Sequence, residues 1–397
     1  MASADETFRR DVHIRFFLEC LKQGFPEHYV SLDTSRLTAV YFAVLGLDIL
    51  GAADRIDKEA VMAYILAMQI PADTTGKWPG HCGFIGSTFL GQAFSIDGGE
   101  CSFCNFSDGS GGSSRMSQLE YCQPSINQGR PDQAHAPDRY MQGHLAMTYT
   151  SLAVLMTLDK ARISDCVDKA GLVKGMRCLQ QPDGSFRATL DGSECDMRFL
   201  YCACAISAML GDWSGVDIDA AAEFVRSCVT YEGGISLVPG SEAHGGSCYT
   251  AVASLVLMNR LHEVLGDRGV DALRAWCEQR ICAEGGYNGR TNKETDSCYS
   301  FWVGATLQML GSFDDSDHTP TRTFLLAHCQ AHKHGGFKKT PEHHQDVLHS
   351  FYSLCWLAMS GSPGLRPIDV RLATCADRLI EGKPAAGDGE KQPMRFC

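Results

Sequence analysis

Apolar residues recur along the chain in two alternating patterns. In the segments 167–180, 217–230, 269–282 and 319–332 they fall on one side at helical spacing, as within Asp271–Arg280. In 196–210, 247–261, 296–310 and 346–359 they run almost all round, the pattern of a helix buried on every side. A glycine turn and a polar loop separate the members of each pair: Asp183-Gly184-Ser185-Phe186, Gly233-Gly234-Ile235, Gly285-Gly286-Tyr287 and Gly335-Gly336-Phe337. The second glycine positions are 184, 234, 286 and 336, steps of 50, 52 and 50, so the chain is built of repeats. Each repeat reads as an outer, half-exposed helix followed by an inner, buried one. Segments 35–50 and 144–158 fit as earlier inner helices and 57–70 as an outer one. The predicted class is all-α, a single α/α barrel (toroid) over 1–397 with the glycine loops gathered at one end. Fully apolar inner helices favour closure over the alternative, an open armadillo-like stack.

Composition narrows the picture. The chain has 397 residues, more than one domain commonly holds but within reach of a repeat fold. With 35 basic against 47 acidic residues the net charge is −12, which argues against nucleic acid as a partner. No run of about 18 apolar residues predicts a membrane span, and Met1–Glu6 does not open a signal peptide. Many of the 19 cysteines lie inside apolar runs, among them Cys202, Cys204 and Cys355. Such usage predicts reduced, buried thiols and a cytoplasmic protein. Residues 95–140, rich in Gly, Ser, Asp, Gln and Pro, break the repeat and read as a flexible insert. The Cys101-Ser102-Phe103-Cys104 within it, lacking a second pair, is weak evidence for zinc. Residues 381–397 read as a polar tail.

The densest chemistry follows the last two glycine turns. Asp296 and Cys298 open one buried helix, and His349 lies in the first turn of the next. In a closed ring those turns are neighbours, and a carboxylate, a thiolate and an imidazole with a fourth position open suit a catalytic zinc. An N-cap aspartate, a buried thiol and a core histidine would account for the same residues structurally. Arg290 and Lys293 precede the same helix, and His244 precedes the one before it. Cations at adjacent helix N-termini suit a diphosphate, against the plainer alternative of a solvated basic loop. Tyr201, Tyr249, Tyr299 and Trp302 fall on inner helices, where they line either a plain core or an apolar funnel. Asp314-Asp315-Ser316-Asp317 resembles the metal motif of terpene synthases only superficially and reads as a solvated turn; no Asp-x-Asp-Asp occurs, against a triterpene cyclase.

The run Gly289-Arg290-Thr291-Asn292-Lys293-Glu294-Thr295-Asp296-Ser297-Cys298-Tyr299-Ser300-Phe301-Trp302 resembles the β subunits of protein prenyltransferases, over nearly the whole chain outside the insert and tail. The resemblance implies one zinc ion on Asp296, Cys298 and His349. It implies a prenyl diphosphate site of His244, Gly245, Gly246, Arg290, Lys293, Tyr299 and Trp302. Ser31–Thr38 is similar to the type I geranylgeranyltransferases: Thr38 stands where farnesyltransferases carry tryptophan, leaving the isoprenoid funnel, with Tyr201, deeper. Burying a further five-carbon unit is worth a few kcal/mol at about 0.8 per CH₂. Lys339 stands where farnesyltransferases have a magnesium-binding aspartate, which implies that it joins the diphosphate site, offsetting the diphosphate charge directly, and that magnesium is not required. His144, Ala146, Phe199 and Leu348 align with the pocket for the last peptide residue, and Arg198 with a residue near its carboxylate. The implied activity is transfer of a geranylgeranyl group from geranylgeranyl diphosphate to a cysteine of C-terminal CaaX-type sequences, often ending in Leu, of proteins such as small GTPases. The implied assembly is a heterodimer with an α subunit. A farnesyltransferase β subunit and a non-catalytic α/α scaffold are the alternatives; the second predicts neither stoichiometric metal nor lipid diphosphate binding.

Overall fold

The computed structural model describes residues 7–22, 34–72, 80–87 and 142–378. The expected insert at 95–140, with Cys101 and Cys104, and the tail at 381–397 lie outside the described residues. Within them run α1 (Arg10–Lys22), α2 (Arg36–Ile49), α3 (Lys58–Ala67), α4 (Leu145–Asp159), a one-turn α5 (Ile163–Cys166), α6 (Lys169–Leu179) and α7 (Met197–Leu210). There follow α8 (Ile218–Ser227), α9 (Gly245–Leu257), α10 (Leu261–Glu278), α11 (Ser297–Met309), α12 (Thr319–Thr323) and α13 (Val347–Met359).

Helices α2, α4, α7, α9, α11 and α13 pack each against the next, and α13 returns to α2, so the inner helices close a ring. Their faces are buried nearly all round: every residue of α4 from Met147 to Leu158 is inaccessible. Helices α1, α3, α6, α8, α10 and α12 form the outer layer. Outer α8 buries only Ala221, Ala222, Phe224 and Val225, the single stripe expected of a half-exposed helix. The repeat grammar keyed on glycine turns misses α1. The outer helix expected over 319–332 is shorter: after Thr323 it widens into a π turn, Phe324–Cys329. The π turn ends at Gln330, whose side-chain oxygen accepts from Arg9 N–H (3.0 Å) and His13 Nε2 (2.9 Å).

Between α3 and α4, α6 and α7, and α12 and α13 the described residues include a short antiparallel hairpin. These are β1 (Gln69–Ile70) with β2 (Gly83–Phe84), β3 (Phe186–Arg187) with β4 (Cys195–Asp196), and β5 (Phe337–Lys338) with β6 (Gln345–Asp346). Single bridges do the same over 229–243 and 281–295. The glycines turn the chain: Gly285 has φ +97°, and a Cβ there would lie 2.3 Å from the Pro320 carbonyl oxygen.

Two devices satisfy the inner helices' first N–H groups. A side chain just before the helix caps it: His144, Asp196, His244 and Asp296 each accept from the N–H two residues on, and Asp346 from that of His349. The first helical N–H then crosses to the next unit's hairpin. Leu37 donates to Gly86 O (3.1 Å), Leu145 to Ala188 O (2.9 Å), Met197 to Leu237 O (3.1 Å), Gly245 to Gly289 O (2.7 Å) and Ser297 to Lys339 O (3.0 Å). The N-termini of α2, α4, α7, α9 and α11 are therefore each covered by a loop of the following unit.

The C-terminal segment spans the ring at the level of a tyrosine row. The Tyr149, Tyr201 and Tyr249 hydroxyls donate to the carbonyls of Leu372, Arg371 and Val370 (3.2, 3.0 and 2.9 Å). β7 (Ile368–Asp369) pairs with β8 (Thr374–Cys375) beside it. Asp48, 1% exposed in α2, anchors this segment by accepting from both Arg366 and Arg378.

The first described residues meet the last glycine turn at His13. Its ring is stacked between Phe8 and Phe337 (centroids 5.2 and 4.7 Å), and its Nδ1 accepts from Gly336 N–H (2.9 Å). Burial, aided by His332 and opposed by the Gln330 bond, lowers its pKa to about 4. The unfolded chain takes up this proton near pH 6.5, before the folded one, so the contribution is complete above 6.5 and is lost as pH falls toward 4. Denaturant titrations at pH 7 and 5 should show wild type losing more stability than His13→Gln, by about 1–2 kcal/mol. Equal losses would exclude His13 as the sensor.

Candidate active site

The hairpin end of the ring collects the residues singled out above. Asp296 stays extended (φ −143°, ψ 127°) as it caps α11, which turns its second carboxylate oxygen toward the next unit. Cys298 follows in the first turn, 7% exposed, and His349 faces it from the first turn of α13. One ligand atom from each of Asp296, Cys298 and His349 lies within 4.8 Å of the others, and the three could hold a metal ion. His349 Nε2 stands 3.3 Å from Asp296 Oδ1.

A residue the sequence reading did not assign completes the group. Asp346 Oδ2 accepts from His349 Nδ1 at 2.6 Å, which fixes the ring and aims Nε2 at Asp296 and Cys298. The Asp346-x-x-His349 spacing is the signal that would have found it. Lys339 reaches the other side, Nζ 3.8 Å from Asp296 Oδ2.

The charges are arranged to receive a cation. Burial pushes the Cys298 thiol far above its usual range, and the Asp296 carboxylate adds to this. Burial also works to raise Asp296, but the His349 hydrogen bond and charge bring it below the ordinary carboxylate range. His349, which burial alone would lower, is held up at about 9 by the two carboxylates. Two carboxylates and a desolvated thiol facing one imidazole suit a divalent ion of nitrogen and sulfur preference.

A second group sits one helix back. His244 Nδ1 accepts from Gly246 N–H (3.0 Å), so its proton is on Nε2, which meets the Tyr299 hydroxyl at 2.8 Å. Burial and the Arg290 charge lower the His244 pKa, keeping it neutral. Tyr299 thus accepts from histidine and keeps its own O–H to donate. A Cβ on Gly289 would lie 2.2 Å from the Tyr299 ring, and one on Gly245 3.1 Å, so only glycines admit the tyrosine here. Arg290 pairs with Glu242 (2.7 Å), a partner one unit away that spacing does not reveal. The Lys293 N–H closes the loop on Arg290 O (3.3 Å).

The expected peptide-side residues form a separate group on α4 and α7. His144 Nδ1 caps Ala146 N–H (3.2 Å), and its ring meets Phe199 edge-on (5.9 Å). Arg198 is clamped by Asp196 (2.6 Å) and by Glu194 (3.3 Å), which the sequence reading also missed. Ala146 and Leu348 are half-buried. Thr38 Oγ1 donates to Met147 Sδ at 3.6 Å. Of the aromatics, Tyr249 is 1% exposed and belongs to the core, whereas Trp302 is half-buried against Tyr352 (4.2 Å) and Tyr249 (4.9 Å). Asp314–Asp317 lies apart in a surface turn, where Asp317 accepts from Thr319 N–H.

A ring of paired helices with a metal-type group at one end of its inner layer defines a class. Residues 8–374 match the prenyltransferase alpha-alpha toroid domain, and the chain belongs to that family. Within it, the geranylgeranyl transferase type-1 subunit beta of Arabidopsis thaliana is 35% identical over 376 residues, 92% of this chain and 89% of its own. The Dictyostelium discoideum subunit of the same name is 32% identical over 359 residues, 89% of this chain and 91% of its own. Among solved structures, Candida albicans protein geranylgeranyltransferase-I complexed with GGPP superposes with a TM-score of 0.74. That match covers 94% of this chain and 97% of the other, and at 20% identity it bears on the fold alone. No described helix is long and apolar enough to cross a membrane.

Asp346→Asn leaves all three donor atoms in place but loosens the imidazole. Competition with a chromophoric chelator should show a divalent ion held about 10–100-fold more weakly, with the fold intact. Unchanged affinity would mean that α13 alone orients His349.

Proposed function

We propose that the chain is the β subunit of a type I protein geranylgeranyltransferase, active with an α subunit. It would transfer a geranylgeranyl group from geranylgeranyl diphosphate to the cysteine of a C-terminal CaaX-type sequence, often ending in Leu. The observation that carries this is the convergence of Asp296, Cys298 and His349 in a chain that matches type-1 subunits over 92% of its length.

Asp296, Cys298 and His349 would hold zinc, whose charge keeps an acceptor thiol as its nucleophilic thiolate at neutral pH. This chain's residues do the rest. The Tyr299 hydroxyl, oriented by His244, and the cations of Arg290 and Lys293 face the diphosphate. Gly245 and Gly246 bring the α9 N-terminus to it. As the bond from lipid C1 to oxygen breaks and the carbon–sulfur bond forms, the leaving diphosphate gathers charge that these groups stabilise. The thiol proton passes to solvent. Lys339, already beside Asp296, supplies positive charge on the metal side, so magnesium is not needed. Thr38, Tyr201 and Trp302 bound the isoprenoid, and Thr38 leaves depth for the fourth unit. His144, Ala146, Phe199 and Leu348 receive the last peptide residue, with Arg198 near its carboxylate. Small GTPases with such termini are the expected acceptors. The free cysteines Cys202, Cys204 and Cys355, all buried, support action in the reducing cytoplasm.

Single-turnover transfer by the co-purified heterodimer, with geranylgeranyl and farnesyl diphosphate in competition, tests the reading. Peptides ending in Leu or Ser are offered, and bound zinc is assayed. The twenty-carbon lipid and the Leu peptide should be preferred, Cys298→Ala should lose the zinc, and Thr38→Trp should move the preference toward farnesyl. Transfer without zinc, or a farnesyl preference in wild type, would overturn it.

A further inference from the structure

Arg280 lies two residues past the end of α10 in the outer layer, yet it is 4% exposed. The guanidinium lies 4.7 Å over the Trp276 ring. Its Nη1 donates to Thr291 Oγ1 (2.9 Å), and its Nε is buried without a partner. Arg198, Arg260, Arg290, Arg366, Arg371 and Arg378 each meet a carboxylate. Arg280 meets none among the described residues. A desolvated cation without a counter-ion is costly, and the fold retains one here against apolar surroundings.

Two of its hydrogen bonds lead to one loop. The Arg280 carbonyl accepts from Asn288 N–H (2.9 Å), and its guanidinium holds Thr291 three residues further on. Between them stand Gly289, whose carbonyl receives Gly245 N–H, and Arg290. Asn292 then takes a left-handed turn (φ +59°), and the Asn288 side chain donates to Lys293 O (3.2 Å), closing the loop on itself. Arg280 thus grips at both ends the segment that displays Arg290.

We infer that Arg280 is a positioning residue for the anion-binding loop 288–293: it fixes Arg290 and Lys293 from beneath and adds an uncompensated positive charge behind them. The inference rests on the proposed diphosphate role of that loop. Glu242 already sits on Arg290, so the unpaired charge of Arg280 offsets that carboxylate in the field the loop presents to an anion.

Binding of geranylgeranyl diphosphate, of inorganic diphosphate as its competitor, and of uncharged geranylgeraniol is measured on the zinc-loaded heterodimer. Wild type is compared with Arg280→Met, Arg280→Lys, Thr291→Val and Arg290→Ala. Arg280→Met should weaken both diphosphates about tenfold and Thr291→Val about threefold. Arg280→Lys should recover part of the loss, and geranylgeraniol should bind all variants alike. A residue with only a structural role would lower the melting temperature and affect charged and uncharged ligands equally. Diphosphate affinities within twofold of wild type in Arg280→Met and Thr291→Val, while Arg290→Ala loses binding, would overturn the inference and leave the proposed function standing. If wild type itself binds no lipid diphosphate, the proposed function falls and the inference with it. Should Arg280→Met not fold, Thr291→Val, which alters only an exposed hydroxyl, decides.

Discussion

An α-helix begins with N–H groups that have no partner inside it, and a buried inner helix cannot give them to water. In this ring an N–H at the start of five of the six inner helices reaches the hairpin of the following unit: Leu37 to Gly86, Leu145 to Ala188, Met197 to Leu237, Gly245 to Gly289 and Ser297 to Lys339. The bond fixes neighbouring units in register and brings the next unit's loop over those helix starts. Every group described at this end is consequently built from two units. Asp296 and Cys298 meet Lys339 and His349 from the next; His244 and Gly245 meet Gly289, Arg290 and Tyr299 from the next.

The same geometry explains the electrostatics. Helix N-termini carry partial positive charge and draw acidic or neutral capping groups, so Asp196, Asp296 and Asp346 sit where the backbone alone favours a carboxylate. Two of these caps then acquire a second duty: the capping oxygen of Asp296 also stands 3.3 Å from His349 Nε2 while its other oxygen faces Lys339, and Asp346 orients the imidazole. Histidine caps at His144 and His244 accept through Nδ1, and at His244 this leaves Nε2–H to donate to Tyr299. One local requirement, a cap, thus supplies both a carboxylate-rich pair and a neutral donor on successive seams.

The fold was legible because its signals are local. Glycine turns at a 50-residue step and inner runs apolar all round locate α7, α9, α11 and α13 within a few residues. Asp296, Cys298 and His349 were legible because the ring makes consecutive inner helices neighbours. Helix α1 and the π turn before Gln330 were not, since both answer to each other across some 320 residues rather than to a repeat pattern. Glu242 beside Arg290 and Glu194 beside Arg198 depend on how loops lean, which spacing does not encode. Spacing left Tyr249 between core and funnel lining, because a residue on an inner helix can serve either; its hydroxyl bonds the Val370 carbonyl and its ring is interior.

His13 and the Asp48 clamp both join parts of the chain that are made far apart in time. On a ribosome, α2 emerges early, yet its buried Asp48 stays without Arg366 and Arg378 until almost the last described residues appear. Helix α1 likewise waits for Phe337 and Gly336. A nascent chain can stack its helix pairs one on another, but the ring shuts only after synthesis is nearly complete. Contacts of such sequence separation form slowly. Until they form, the apolar inner helices face an open seam, and a partner or chaperone that shields that seam would govern how much of this protein a cell obtains.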